Sequence, residues 1–194
     1  MKLSRSIFVA AIIASSVHSM AAEEHRELGA HEHGVGRLNI AIEGKRVSME
    51  FEVPGADIVG FEHEASTKTQ RGAVQKAKTT LAGALNVFKL PAEAKCKVAQ
   101  AKVEVHTEEK QEQGHDKAGE AKHDAADNES GHSEFHAEYV VDCAAPEKLT
   151  GIDFKYFELF PHAQKLDVNL VTDKGQTHYE VTRETPQLKF GEIG

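Results

Sequence analysis

Histidine and carboxylate recur in this chain at spacings that suit a divalent metal. Twelve of its 194 residues are His, and the formal charge is −8 with those histidines neutral. His31 and His33 form an H-E-H segment. Alternate side chains of an extended segment point the same way, so both imidazoles can reach one ion. His63 stands between Glu62 and Glu64, and His162 follows Pro161. Each sits at the rim of a predicted core element, where a side chain is held yet reachable. These four are the expected fixed metal site, with ligand atoms about 2.0–2.1 Å from the ion. His106, His132 and His136 make a second expected site, and His115 and His123 serve as looser collectors in the stretch between. Taken singly, each His reads as a surface or capping residue, and His178, inside a predicted strand, reads as structural. Neutral imidazole suits zinc, copper and nickel. Three Met are too few for a Cu(I) carrier, so Zn(II) comes first, then Cu(II) or Ni(II).

Other chemistries have little support. The chain has no HExxH, no GxSxG, no phosphate-binding glycine loop and no cysteine nucleophile. The reading is non-enzymatic. The alternatives are Cu(II)/Ni(II) buffering or resistance, a zinc-dependent hydrolase using Glu62 or Glu64, and an interaction module with incidental histidines. The acidic balance argues against nucleic acid and anionic membranes as partners.

The elements that must position these groups follow from patterning. Residues 1–21 read as a signal peptide: Lys2 and Arg5 precede an apolar run at 7–14, then small residues precede cleavage after Ala21 or Ala22. The product is expected to be exported, soluble and periplasmic, with residues 22–194 as one metal-binding domain and no membrane insertion. Two cysteines in an exported chain pair most simply as Cys96–Cys143. Residues 35–43 and 46–53 alternate apolar and polar about Gly44-Lys45, predicting a hairpin with one wet face. Val74, Ala77, Leu81, Leu85 and Phe88 recur at helical spacing after a cap at Ser66 or Thr67, and Pro91 follows. This stripe is expected to lie on the hairpin's apolar face.

Residues 96–106 and 134–143 read as strands on either side of a flexible, disordered His/Asp/Glu-rich insert at 107–133. With Cys96 opposite Cys143 and an unbroken register, His106 faces Ser133. Residues 149–160 admit a strand, a strand with a helical turn, or a short helix. Residues 166–171 and 176–183 form a last hairpin. The expected fold class is α+β: a single domain with an antiparallel sheet of five to seven strands, one main helix packed on it, and the long His-rich hairpin loop.

HEHG at 31–34, PGADIVGFEHEA at 54–65, the cysteines flanking a His/Asp/Glu insert, and FELFPHA at 157–163 resemble the ZrgA-type periplasmic zinc-binding proteins of Gram-negative bacteria. The resemblance spans essentially the whole mature chain, with PGADIVGFEHEA its most specific piece. It implies a zinc-regulated periplasmic protein that binds zinc ions through histidines and contributes to zinc acquisition. It also implies a zinc ABC importer or its binding protein as partner. The ligand choices above rest on spacing alone.

Overall fold

The computed structural model describes residues 33–107 and 132–190. The expected leader at 1–21, His31, His115, His123 and all of the insert except its two ends lie outside the described residues.

The alternating pattern at 35–53 forms strands β1 (Val35–Glu43) and β2 (Arg46–Pro54). Pro54 ends the ladder, and a five-residue helix α1 (Gly55–Val59) follows. Helix α2 (Lys68–Ala82) begins at Thr67 with a full capping box. The Thr67 hydroxyl accepts from the Gln70 N–H at 3.1 Å, and the Gln70 side-chain oxygen accepts from the Thr67 N–H at 3.0 Å. Such a cap contributes about 1 kcal/mol. The predicted apolar stripe is broken at Gly83: Val74, Ala77 and Leu81 lie on α2, Leu85 on the single turn α3 (Ala84–Val87), and Phe88 on the short strand β3 (Phe88–Lys89).

Strands β4 (Cys96–Thr107) and β5 (Ser133–Cys143) form the stapled pair, with the Cys96–Cys143 disulfide in place. Residues 149–160 resolve as a strand followed by a helical turn, β6 (Gly151–Phe154) and α4 (Tyr156–Leu159). Strands β7 (Lys165–Thr172), β8 (Gly175–Thr182) and β9 (Gln187–Lys189) complete the described chain. No described helix is long and apolar enough to cross a membrane.

The six-stranded sheet has the order β4-β5-β2-β1-β7-β8, and β3-β6-β9 form a small second sheet. The α+β class and the single main helix are as expected, but the all-antiparallel sheet is not. β1 and β7 run parallel, Val35 beside Lys165 and Leu38 beside Val168. The peptide N–H groups of Gln164 and Lys165 both donate to the Gly34 carbonyl, at 3.0 and 2.8 Å, which starts β7 next to the start of β1. Alternation reports which face a side chain occupies and is silent on the direction of the neighbouring strand. A second correction concerns β4. A bulge between Val98 and Gln100 moves the register by one residue, so His106 lies opposite Glu134 and Thr107 opposite Ser133.

Apolar rows cross the sheet on one face. Ala137, Phe51, Leu38 and Val168 form one row, and Tyr139, Met49, Ile40 and Leu170 the next. All eight side chains are buried, each worth roughly 1.5–3 kcal/mol if large and aliphatic or aromatic. Phe51 meets Phe88 and Tyr156 edge to face at 5.3 and 5.2 Å between centroids. The helix layer is tied down where the Tyr139 hydroxyl donates to the Leu81 carbonyl at 2.9 Å. Burial pushes that hydroxyl's pKa up, so it stays a donor. The tie to β5 places α2 over the β4–β5 side of the sheet rather than over the β1–β2 hairpin alone.

Candidate metal centre

Topology gathers the histidines at one end of the sheet. His33 lies two residues before β1, and β7, being parallel to β1, starts beside it with His162 three residues upstream. β2 is antiparallel to β1, so its last residues and α1 arrive at the same end. β5 is antiparallel to β2 and begins there, one residue after His132.

Two glycines permit the turn that brings in the central carboxylate. A Cβ on Gly55 would clash with the Ser133 side chain and lie 2.9 Å from the Phe61 carbonyl, so only glycine lets α1 start against β5. Gly60 closes α1 in the left-handed region (φ 81°), its N–H donating to the Ala56 carbonyl at 3.0 Å. His162 Nε2 lies 3.6 Å from where a Cβ on Gly60 would stand.

Glu62 then projects into the cluster. Its Oε1 lies 2.8 Å from His33 Nε2 and its Oε2 2.6 Å from His132 Nδ1. One carboxylate therefore spans two imidazoles from distant parts of the chain. The Glu62 side chain is 14% exposed, while those of His33 and His132 are 69% and 55% exposed. The carboxylate is held and the rings remain open to solvent.

Behind this group lies Asp57. It is 2% exposed, and its Oδ1 accepts from the Gly34 N–H at 2.9 Å. Its Oδ2 is buried with no hydrogen-bond partner among the described residues. Burial raises the Asp57 pKa. The Gly34 N–H and the nearby His33 and His162 oppose that rise, while Glu62 adds to it. A buried carboxylate lacking a partner beside a second carboxylate and imidazoles favours the arrival of positive charge.

His162 is held by an arginine clamp. The Arg183 guanidinium donates to the carbonyls of Phe157 (Nη1, 2.7 Å), Phe160 (Nη2, 2.9 Å), Pro161 (Nη2, 2.8 Å) and Ala163 (Nε, 3.0 Å), and it packs over the Phe157 ring. Replacing Arg183 with Ala leaves these carbonyls short of donors. The expected cost is about 3 kcal/mol in urea denaturation, with only partial recovery in Arg183→Lys, because a point ammonium cannot span the set. Wild-type stability in Arg183→Ala would show that the clamp does not hold the 157–163 turn.

The remaining predicted residues fall elsewhere. His63 turns to the start of α2: its ring stacks on Phe61 at 5.0 Å, Nδ1 donates to the Glu64 carbonyl at 2.9 Å, and Nε2 lies 3.3 Å from the Gln70 amide nitrogen. His106 and His136 associate with each other, centroids 4.4 Å apart, while His132 goes to Glu62. His178 lies 3.1 Å from the Asn169 side-chain oxygen, exposed on the edge strand β8. Glu62 as hub and Asp57 as buried neighbour were not selected as ligating positions from the sequence, although both lie inside PGADIVGFEHEA. Among the described residues no three His, Cys, Asp or Glu side chains are already drawn into a metal-holding group. The observed N···O pairs have hydrogen-bond lengths. Two ligands on one tetrahedral zinc sit about 3.3 Å apart, so an ion would have to spread them by roughly half an ångström.

The family model described as ZrgA family zinc uptake protein matches residues 30–190. The chain belongs to the ZrgA family. The matched span includes His33, Asp57, Glu62, His132 and His162, together with both cysteines. No curated protein matches the chain. Membership in ZrgA carries a role in zinc uptake.

Proposed function

We propose that this protein captures Zn(II) in the periplasm and supplies it to zinc uptake, without catalysing a reaction. The single observation that carries this reading is the Glu62 carboxylate shared by His33 and His132, beside the buried Asp57 carboxylate. His33, His132 and His162 serve as the imidazole ligands, and Glu62 either joins them or orients them through their hydrogen bonds. His31 lies two residues from His33 and is the natural further ligand, whereas His63 supports the α2 cap. In this reading residues 1–21 direct export and are removed, residues 22–194 form the zinc-binding domain, and His115 and His123 in the 107–133 insert concentrate the ion. A zinc ABC importer or its binding protein then takes it.

Nitrogen and oxygen donors also suit Cu(II) and Ni(II), which makes buffering of those ions the second reading. Calorimetric titration tests both. Zinc affinity should fall by at least about tenfold between pH 7.5 and pH 5.5, because protons compete with metal for imidazole in that range. Equal affinity at the two pH values sinks histidine ligation. Displacement of bound zinc by stoichiometric Ni(II) shifts the assignment to the second reading.

A further inference from the structure

A second group of donors lies on the water-facing side of the sheet, apart from the Glu62 cluster. Alternation along β5 sends Phe135, Ala137 and Tyr139 to the core, and Glu134, His136 and Glu138 to the other face. Cross-strand pairing sets Glu104 of β4, His136 of β5 and Glu52 of β2 in one row. The next row places His106 opposite Glu134. That pairing exists only because of the bulge after Val98, since an unbroken register would set His106 opposite Ser133.

The contacts are close. His136 Nε2 lies 2.6 Å from Glu134 Oε2, and the His106 and His136 rings are 4.4 Å apart between centroids. Glu52 and Glu104 flank the pair, at 3.9 Å from His136 Nδ1 and His106 Nε2 respectively. These two carboxylates also hold cations of their own, Arg37 at 3.4 Å and Lys102 at 2.8 Å. Glu134 is the buried member of the group: it is 4% exposed, its carboxylate meets the His136 imidazole, and its strand position lies opposite His106. A desolvated carboxylate together with two imidazole nitrogen donors is a mixed N/O set of the kind that holds a divalent borderline ion.

We propose that His106, His136 and Glu134 form a second Zn(II) site, weaker and more exchangeable than the one at Glu62. Glu52 and Glu104 add negative charge beside its imidazoles. Its ligands stand on strands at fixed register, while both rings keep an open side. His132 and His136 are four residues apart along an extended segment, about 13 Å. An ion released here is therefore already beside the first centre. That last relation rests on the function proposed above, whereas the site itself does not.

Long-range proton–nitrogen NMR of the imidazoles in the mature chain, titrated with zinc chloride, reads each site separately. The expected result is that His33 and His132 respond within the first equivalent, and His106 and His136 respond together at higher zinc. In His136→Ala, the His106 response should disappear while His33 and His132 behave as before. Glu134→Gln should weaken the second response without removing the first. His106 and His136 signals that stay unchanged at saturating zinc overturn the site, and so does a His106 response that survives in His136→Ala. The wild-type titration decides this even if a variant folds poorly. A response at His106 and His136 with His33 and His132 silent would keep this site and sink the first.

Discussion

Glu62→Gln is expected to lower zinc affinity by roughly 100-fold while leaving the fold intact. Glu62 is the only carboxylate among the described residues seen to contact both His33 and His132, at 2.8 and 2.6 Å. Glutamine keeps the shape but presents one oxygen and one amide NH₂. One imidazole must then face a donor where it had an acceptor, and the negative charge that favours the ion is gone. Loss of a partner that orients metal-binding imidazoles costs 10–100-fold in affinity, and loss of a direct ligand costs more. His132→Ala should do at least as much.

The fold should tolerate the change, because the Glu62 side chain contacts solvent-open rings rather than the core. His63→Ala serves as the contrast. That ring stacks on Phe61 and meets Gln70, so its removal should change zinc affinity by less than about threefold. The measurement is calorimetry, with zinc-induced thermal stabilisation as a second readout: an ion at 100 times its Kd adds about 2.7 kcal/mol to the native state. Wild-type affinity in Glu62→Gln, or a larger loss in His63→Ala than in His132→Ala, would place the tight site elsewhere.

Removing the disulfide with Cys96→Ala/Cys143→Ala should cost about 4 kcal/mol of stability, the chain-entropy value for a loop of this length. The bridge joins residues 47 apart in sequence, across the ladder pair that starts β4 and ends β5. It closes the base of a hairpin whose far end carries His106 and His132. The metal site itself should survive. The start of β5 is also held by its ladder to β2, from Arg46 opposite Asp142 to Pro54 opposite Glu134, so zinc affinity in the double variant should stay within about threefold at a temperature where it is folded. Urea denaturation gives the first quantity and calorimetry the second. Alanine is preferred to chemical reduction, since free thiolates would bind zinc themselves. Unchanged stability would mean that the β4–β5 ladder alone holds the insert, and a large loss of affinity would mean that the staple positions the site.

Local features were legible in the sequence because short-range physics decides them. Alternation at 35–53 gives two strands and their buried faces. Ser66 or Thr67 marks the helix start, with Thr67 the cap in the structure, and Thr172-Asp173-Lys174-Gly175 gives the last hairpin turn. The pairing of Cys96 with Cys143 follows from there being only two cysteines in a chain that reads as exported. The wealth of histidine, with no enzyme motif and too little Met, pointed to a zinc-type ion.

Which histidines meet was another matter. His33, Glu62, His132 and His162 are separated by tens of residues, and their assembly depends on strand order and direction. Had β7 run antiparallel to β1, its leading residue His162 would stand at the opposite end of the sheet. The period of two is the same in either case, so no side-chain pattern distinguishes them. The bulge after Val98 acts in the same way: one unpaired residue exchanges Ser133 for Glu134 opposite His106. Asp57 and Arg183 look like ordinary surface charges in the sequence. They become a buried carboxylate only when α1 packs against the start of β1, and a clamp on four carbonyls only when the end of β8 meets the 157–163 turn.

The sequence alone thus determined the kind of chemistry, since donor type and charge are properties of residues. It also determined the elements, because their periods are local. The tertiary structure decided which of these donors stand together. Their grouping is built from non-local contacts, and here one parallel strand pair, one bulge and two glycine-dependent approaches bring them to the same end of the sheet.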